Sequence, residues 1–316
     1  MDWWMPPGDA LARLAFTRGL ALVYLIAFVA ALRQFRPLLG ERGLLPIPRF
    51  IAITPFRRSP SVFHVHYSDR FFAASCWAGI ALATLALVGL VERSPIWTWV
   101  LVWATLWALQ LSILNVGQRW YGFGWEILLA EAGFLAIFVG PAHVAPPLVI
   151  MWALRWLLFR VEFGAGLVKL RGDRCWRDLT CLDFHHETQP MPNPFSRSFH
   201  RLPSKLHRVE VLANHVTQLV VVFGLFAPQP IATVAAMIII VTQGWLMLSG
   251  NFAWLNLLTA VLALGALDGR LLAWLLPVGQ PIDLSKPAWF GILTAAVAVG
   301  LVALSYQPVR NLLSKR

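Results

Sequence analysis

VLANHVTQLVVVFGLFAPQPIATVAAMIIIVTQGWLMLSGNFAWLNLLTAVLALGAL, residues 211–267, runs for 57 residues without an Asp, Glu, Lys or Arg. A bilayer core about 30 Å thick is crossed by roughly 20 apolar residues in a helix. The run is therefore too long for two helices. Pro228-Gln229-Pro230 and Ser249-Gly250-Asn251 are turn signals that divide it into three. Outward from it, apolar segments of similar length occur at 19–32, 71–91, 94–118, 122–140, 146–170 and 287–309. The sum predicts about eight or nine transmembrane helices in an all-α, polytopic membrane bundle, with residues 1–316 forming one transmembrane domain. Composition agrees. The chain of 316 residues is 58% hydrophobic and only 13% charged, with a mean hydropathy of +0.66. A soluble domain carries about 25% charged residues and lacks the interior to hide this much apolar surface. The first apolar segment reads as a span and not a cleaved signal, because no small-residue cleavage site follows it.

Two stretches interrupt the apolar pattern, at 33–70 and 171–208. Both are rich in Pro, Arg and His. Their length exceeds that of ordinary connections, which predicts functional loops. More than half of the 26 basic residues lie in them. The positive-inside rule would place both in the cytoplasm. The surplus of +11 suits anionic lipid headgroups. No nucleic-acid motif is present, so no nucleic-acid partner is expected.

The fifth apolar segment carries Arg155, Glu162 and Lys169 at intervals of seven, which puts them on one helical face. Charged side chains at membrane depth face a partner or a cavity. The preceding segment supplies Glu126 and Glu131, and Arg160 lies nearby. Two readings remain open. The charges form an ion-pair network that joins the two helices, or they line a pocket in which Lys169 serves as a base. The neighbouring Gly164 and Gly166 would allow close approach of a ligand or a helix. A second stripe follows at His207, Glu210, Asn214 and Gln218, with His215 alongside. Such a stripe reads most simply as interhelical hydrogen bonding in lipid.

The second loop holds Asp173, Cys175, Trp176, Arg177, Asp178, Cys181, Asp183, His185, His186 and Glu187. The C-x5-C spacing does not match the usual zinc patterns, and no metal site is expected. A Cys175–Cys181 disulfide would require an oxidising compartment. Cys76 reads as a small buried apolar residue. No G-x-S-x-G elbow, P-loop or dinucleotide fingerprint occurs.

FRVEFGAGLVKLRGDRCWRDLTCLDFHHETQPMPNPFS (159–196) resembles the signature segment of the lipase maturation factor family. QRWYGFGWEILLAEAGFLAIF (118–138), QGWLMLSGNFAWLNLLT (243–259) and PVRNLLS (308–314) are similar to further blocks of that family. The resemblance extends from PLLGERGLLP (37–46) to the end. It implies an endoplasmic-reticulum type of membrane protein that assists folding of secreted lipases, with its large loops facing the lumen. The Ala/Leu/Trp/Arg-rich composition suggests a GC-rich bacterial source. The corresponding place would be the inner membrane, with the loops in the periplasm. That orientation opposes the charge count. Family members usually continue into a soluble C-terminal domain, which is expected to be absent here. The wider group that includes vitamin K-dependent γ-glutamyl carboxylase carries an AG-x-x-K-L arrangement with a catalytic lysine. Residues 165–170 match that pattern through Lys169. The first expectation is thus a non-enzymatic, chaperone-like maturation factor with an exported lipase or other hydrolase as client and no known cofactor. The alternative is a membrane enzyme of carboxylase or oxidoreductase type that uses Lys169 as base and a lipid-soluble quinone.

Overall fold

The computed structural model describes residues 9–189, 191–275, 284–285 and 287–313. Pro190 and Ser314, within the segments 159–196 and 308–314, lie outside the described residues.

The chain is an all-α membrane bundle. In order it forms α1 (Asp9–Leu39), α2 (Ile47–Ile53), α3 (Asp69–Leu87), α4 (Ile96–Val116), α5 (Gly124–Ile137), α6 (Leu148–Arg171), α7 (Arg174–Arg177), α8 (Leu182–Thr188), α9 (Ser196–His200), α10 (Ser204–Leu219), α11 (Ile231–Ser249), α12 (Leu255–Leu264), α13 (Gly269–Leu275) and α14 (Ala288–Leu313). Among the described residues the only β-pairing is an isolated bridge between Val144 and Ser285. Helix starts follow the prolines: α2, α4, α6, α10 and α11 begin directly after Pro46, Pro95, Pro147, Pro203 and Pro230. Proline has no N–H to offer a preceding helix, but its missing donor costs nothing at a helix start.

All nine apolar segments expected from the sequence carry a helix. Six stretches of the described residues are long and apolar enough to cross a membrane: Ala10–Leu39, Asp69–Leu87, Ile96–Val116, Ser204–Phe226, Ile231–Ser249 and Ala288–Asn311. α6 has the length at 24 residues but carries charges. α5, with 14 residues, and α12, with 10, are shorter. At about 1.5 Å per residue they do not traverse the bilayer alone. Shielding by neighbours makes them tolerable at membrane depth. Leu258, Thr259, Leu262 and Ala263 of α12 are buried. The outward faces are apolar and open, as at Leu101, Val241 and Val302. Apolar area left uncovered on this scale belongs against lipid.

Close packing relies on small residues. A Cβ on Gly79 of α3 would meet the Phe28 ring of α1 at 2.6 Å. Small residues at such crossings let helices approach, the main source of association in lipid.

Alternation of the spans brings both long loops to one end of the bundle. There, Ser59 and Ser61 donate to carbonyls of Asn115 and Ser112 near the end of α4, at 2.7 and 3.0 Å. Trp254, before α12, donates to the Trp125 carbonyl in α5 at 3.3 Å. At the opposite end Arg18 pairs with Glu92 at 2.9 Å, and Arg13 donates to the carbonyls of Val144 and Ala142. The loops are shorter than the polar stretches suggested. α1 continues through Arg33 and Arg36 to Leu39. α10 already contains Lys205, His207 and Arg208. The edge of an apolar run is not the end of a helix, because a helix has no need to stop where the bilayer does.

Candidate functional site

The polar residues of α6 and α10 face one another, and the close crossing of these helices permits it. A Cβ on Gly166 would lie 2.7 Å from Leu219 and 3.1 Å from Gln218. Gly164 has nothing within 4 Å, so Gly166 alone makes the crossing. Lys169 Nζ donates to Gln218 Oε1 at 2.9 Å and to Asn214 Oδ1. It also sits 5.3 Å from the centre of the Trp176 ring, an attractive cation–π distance. One helical stretch further into the bundle, Glu162 accepts from Gln243 Nε2 of α11 at 2.5 Å. Glu162 is 1% exposed, and Lys169 and Gln218 are its electrostatic neighbours.

These groups line a cavity of about 510 Å³ enclosed by α6, α8, α10, α11 and α12. Its walls are apolar, through Val161, Leu182, Val211, Val241, Leu246 and Leu255. Its polar floor comprises Glu162, Lys169, Asn214, Gln218, Gln243 and Asn256. His185, His186 and Trp176 from the second loop form the roof. The volume lies within the range of small-molecule sites.

The roof is stapled within itself and fastened to the bundle. Cys175 and Cys181 are disulfide-bonded, with Cα atoms 4.8 Å apart. Asp183 accepts from Ser204 and pairs with His207 Nδ1 at 3.2 Å. His207 Nε2 donates to the Phe199 carbonyl at 3.0 Å. Asn193 donates from one amide nitrogen to the carbonyls of Met247, Leu248 and Gly250 at 2.9–3.0 Å. It thereby serves the carbonyls that a helix end leaves without partners. Its own oxygen accepts from the N–H groups of Phe195 and Ser196. His215 Nε2 adds a bond of 3.0 Å to the Trp176 carbonyl. The Ser204 hydroxyl, and after it His207, holds the Asp183 carboxyl below the usual carboxylate range. Burial, reinforced by Lys169, lowers His185. Burial, reinforced by His185 and His207, pushes His186 down to about 4.

The other expected residues fall elsewhere. Glu126 is buried and accepts from Gln110 of α4 at 2.9 Å; it does not neutralise α6, which corrects the expected partnership. Glu131 does pair with Arg160, at 2.9 Å, on a half-exposed face away from the cavity. Arg155 is buried, stacks over Trp152 at 5.0 Å and donates to the Leu225 carbonyl; it does not line the cavity. The α6 face is therefore shared among different partners and is not one network with α5. Asp173 caps α7 through the Cys175 N–H. Asp178 pairs with Arg174. Glu187 lies 3.4 Å from His200. Arg177 is exposed. Glu210 reaches the cavity. Gln243, Asn256, Thr259 and Asn193 are functional residues that carry no charge pattern in the sequence. The first three are neutral polar residues within an apolar run, marked only by the family-like block 243–259 that holds them and, for Asn256 and Thr259, by an i, i+3 spacing. Among the described residues no group of three or more His, Cys, Asp and Glu converges on a metal geometry.

A family profile described as the lipase maturation factor transmembrane domain matches residues 11–274. Lipase maturation factor 1 of Bos taurus is 42% identical over 285 residues, covering 85% of this chain and 51% of the relative. Lipase maturation factor 1 of Homo sapiens is 41% identical over 287 residues, with 85% and 50% covered. Lipase maturation factor 2 of Xenopus laevis is 34% identical over 287 residues, with 84% and 40% covered. The chain spans about half the length of the curated relatives it matches most strongly. No solved structure shows significant similarity to it. The helices and the second loop that build the cavity all fall within the matched residues, and the chain belongs to the lipase maturation factor family.

Proposed function

We propose that the chain is a membrane-embedded, non-enzymatic maturation factor for exported lipases or related hydrolases. The observation that carries this reading is the 42% identity to a protein named lipase maturation factor 1 across 85% of the chain. The loop end of the bundle is the client-facing end. Its second loop is ordered by the disulfide and by Asn193, so it presents a fixed surface. Phe184, Met191 and Phe195 are exposed on it, between the exposed Arg174, Arg177 and Arg197. Such a mixture of apolar and basic groups suits a partly folded client as well as the lipid surface.

The Cys175–Cys181 disulfide supports an oxidising compartment on the loop side, since cytosolic thiols are kept reduced. In a bacterium this is the periplasmic side of the inner membrane. The disulfide outweighs the basic-residue count, because loop arginines that shape a site imitate an insertion signal. The enzyme reading receives no specific support. Lys169 Nζ rests on two amide oxygens, an arrangement that holds an ammonium in place and leaves no lone pair to accept a proton. Co-purification tests the proposal: a tagged chain should retain an exported lipase caught before it folds. Recovery of no exported hydrolase from cells that secrete one would contradict it.

A further inference from the structure

The cavity floor carries hydrogen-bonding capacity that the protein does not use. Asn256 is 4% exposed, lines the cavity, and its Nδ2 has no hydrogen-bond partner among the described residues. Oε2 of Glu162 makes no hydrogen bond of good geometry either. Gln218, whose oxygen accepts from Lys169, keeps its amide N–H groups for the Glu162 carboxylate, which still leaves one carboxylate oxygen with acceptor capacity to spare. An ammonium has three donors, and Lys169 spends two on Asn214 and Gln218. Buried polar groups are nearly always satisfied, and those that are not point to an occupant.

The spare groups define the occupant's head. They offer one acceptor at Glu162 and donors at Asn256 and Lys169, a set that a hydroxyl or ester oxygen matches. Glu162 and Lys169 bring opposite charges to the same cavity and attract one another. A charged head would bring an uncompensated charge into the bilayer, which is unfavourable. The cavity's place defines the tail. Lys169 lies near the loop end of α6 and Glu162 seven residues deeper, about 10 Å along the axis. The polar floor is thus near headgroup depth. Val209 of α10 and Val241 of α11 line the cavity and are at the same time 61% and 70% exposed. The seam between α10 and α11 therefore opens towards lipid.

We infer that this cavity binds an uncharged, hydroxyl-bearing amphiphile that enters between α10 and α11, with its head on Glu162, Lys169 and Asn256 and its acyl chain along Val211, Val241 and Leu246. The inference goes beyond the maturation role and does not depend on it. Two sources share this chemistry, glycerol esters and long-chain alcohols.

The test uses the purified full chain in lipid nanodiscs with a monoacylglycerol that carries a diazirine on its acyl chain. Irradiation should label peptides of α10 and α11 that face the cavity. Unlabelled monoacylglycerol should compete, whereas a fatty acid, an alkylamine and an alkane of equal length should not. Competition by a long-chain alcohol as well assigns recognition to the hydroxyl, and competition by the glyceride alone assigns it to the glycerol ester. Both results uphold the site. Asn256→Leu should lower labelling roughly tenfold, the range for leaving a buried polar partner unmet. Ala213→Trp, which fills the cavity from its rim, should abolish labelling without touching the floor and carries the test if the first variant does not fold. Labelling spread over the outer faces, unchanged labelling in both variants, or equal displacement by charged and apolar competitors would overturn the inference.

Discussion

Replacing Lys169 by Met keeps an unbranched apolar stem and removes only the ammonium. Three groups then lose a partner: the oxygens of Asn214 and Gln218, and Glu162, which is 1% exposed and loses its nearest cation. Leaving a buried polar group without its partner costs about 1–3 kcal/mol, and more for a charged one, so about 3 kcal/mol in all is expected here. The total stays at that level because Lys169 itself is only half-buried. For a chain of this size one kcal/mol moves Tm by roughly 2 °C, so Lys169→Met should lower it by about 6 °C. Glu162→Gln in the same molecule removes the stranded carboxylate and gives the Gln243 amide a neutral acceptor. The double variant should then recover about two-thirds of that loss, since the remaining penalty is two amide oxygens without a donor. Scanning fluorimetry of the four proteins in one detergent closes the double-mutant cycle. If the two losses simply add, or if Lys169→Met shifts Tm by less than about 1 °C, the pair is not coupled and the assignment of the floor is wrong.

Two further outcomes follow from the roof. His186 is held neutral at about 4, whereas an unfolded histidine titrates near 6.5. As pH falls through that window the opened loop takes up the proton first, so α8 is stable above about 6.5 and progressively loses stability towards pH 4. Its lowered neighbour His185 acts in the same direction, and Asp183, held below the ordinary carboxylate value, adds its loss only below about pH 4. Hydrogen exchange over 182–188, corrected for intrinsic rates, should show falling protection below pH 6.5, and constant protection down to pH 4.5 would refute this. Asn193→Ala removes the donor shared by two carbonyls of the last turn of α11 and by that of Gly250 just after it and should cost about 2 kcal/mol locally. Limited proteolysis should then cut within 189–203 many times faster with the bundle intact; an unchanged rate would show that the loop is held elsewhere.

The spans were legible because charge exclusion over some 20 residues is a strong signal in lipid. Glu162 and Lys169 were legible for the same reason, since charges within an apolar helix demand an explanation. Their partners were not. Sequence adjacency favoured Glu126 and Glu131 on α5, yet Glu126 turns to Gln110 on α4. The groups that do complete the floor, Gln243 and Asn256, sit 81 and 94 positions from Glu162 and carry no charge. A neutral amide within a hydrophobic run barely changes its hydropathy, although in the bilayer it can join helices by hydrogen bonds. The role of Asn193 was equally hidden, because it depends on where the last turn of α11 arrives. The disulfide, by contrast, was visible as a pair of cysteines whose state only the compartment could decide.

The specific activity of an exported lipase, measured per mass of secreted protein in cells with and without the gene for this chain, decides whether the chain is a maturation factor. Deletion should lower specific activity while secreted mass changes little, and the intact chain should restore it. Full specific activity of every exported hydrolase after deletion would contradict that role.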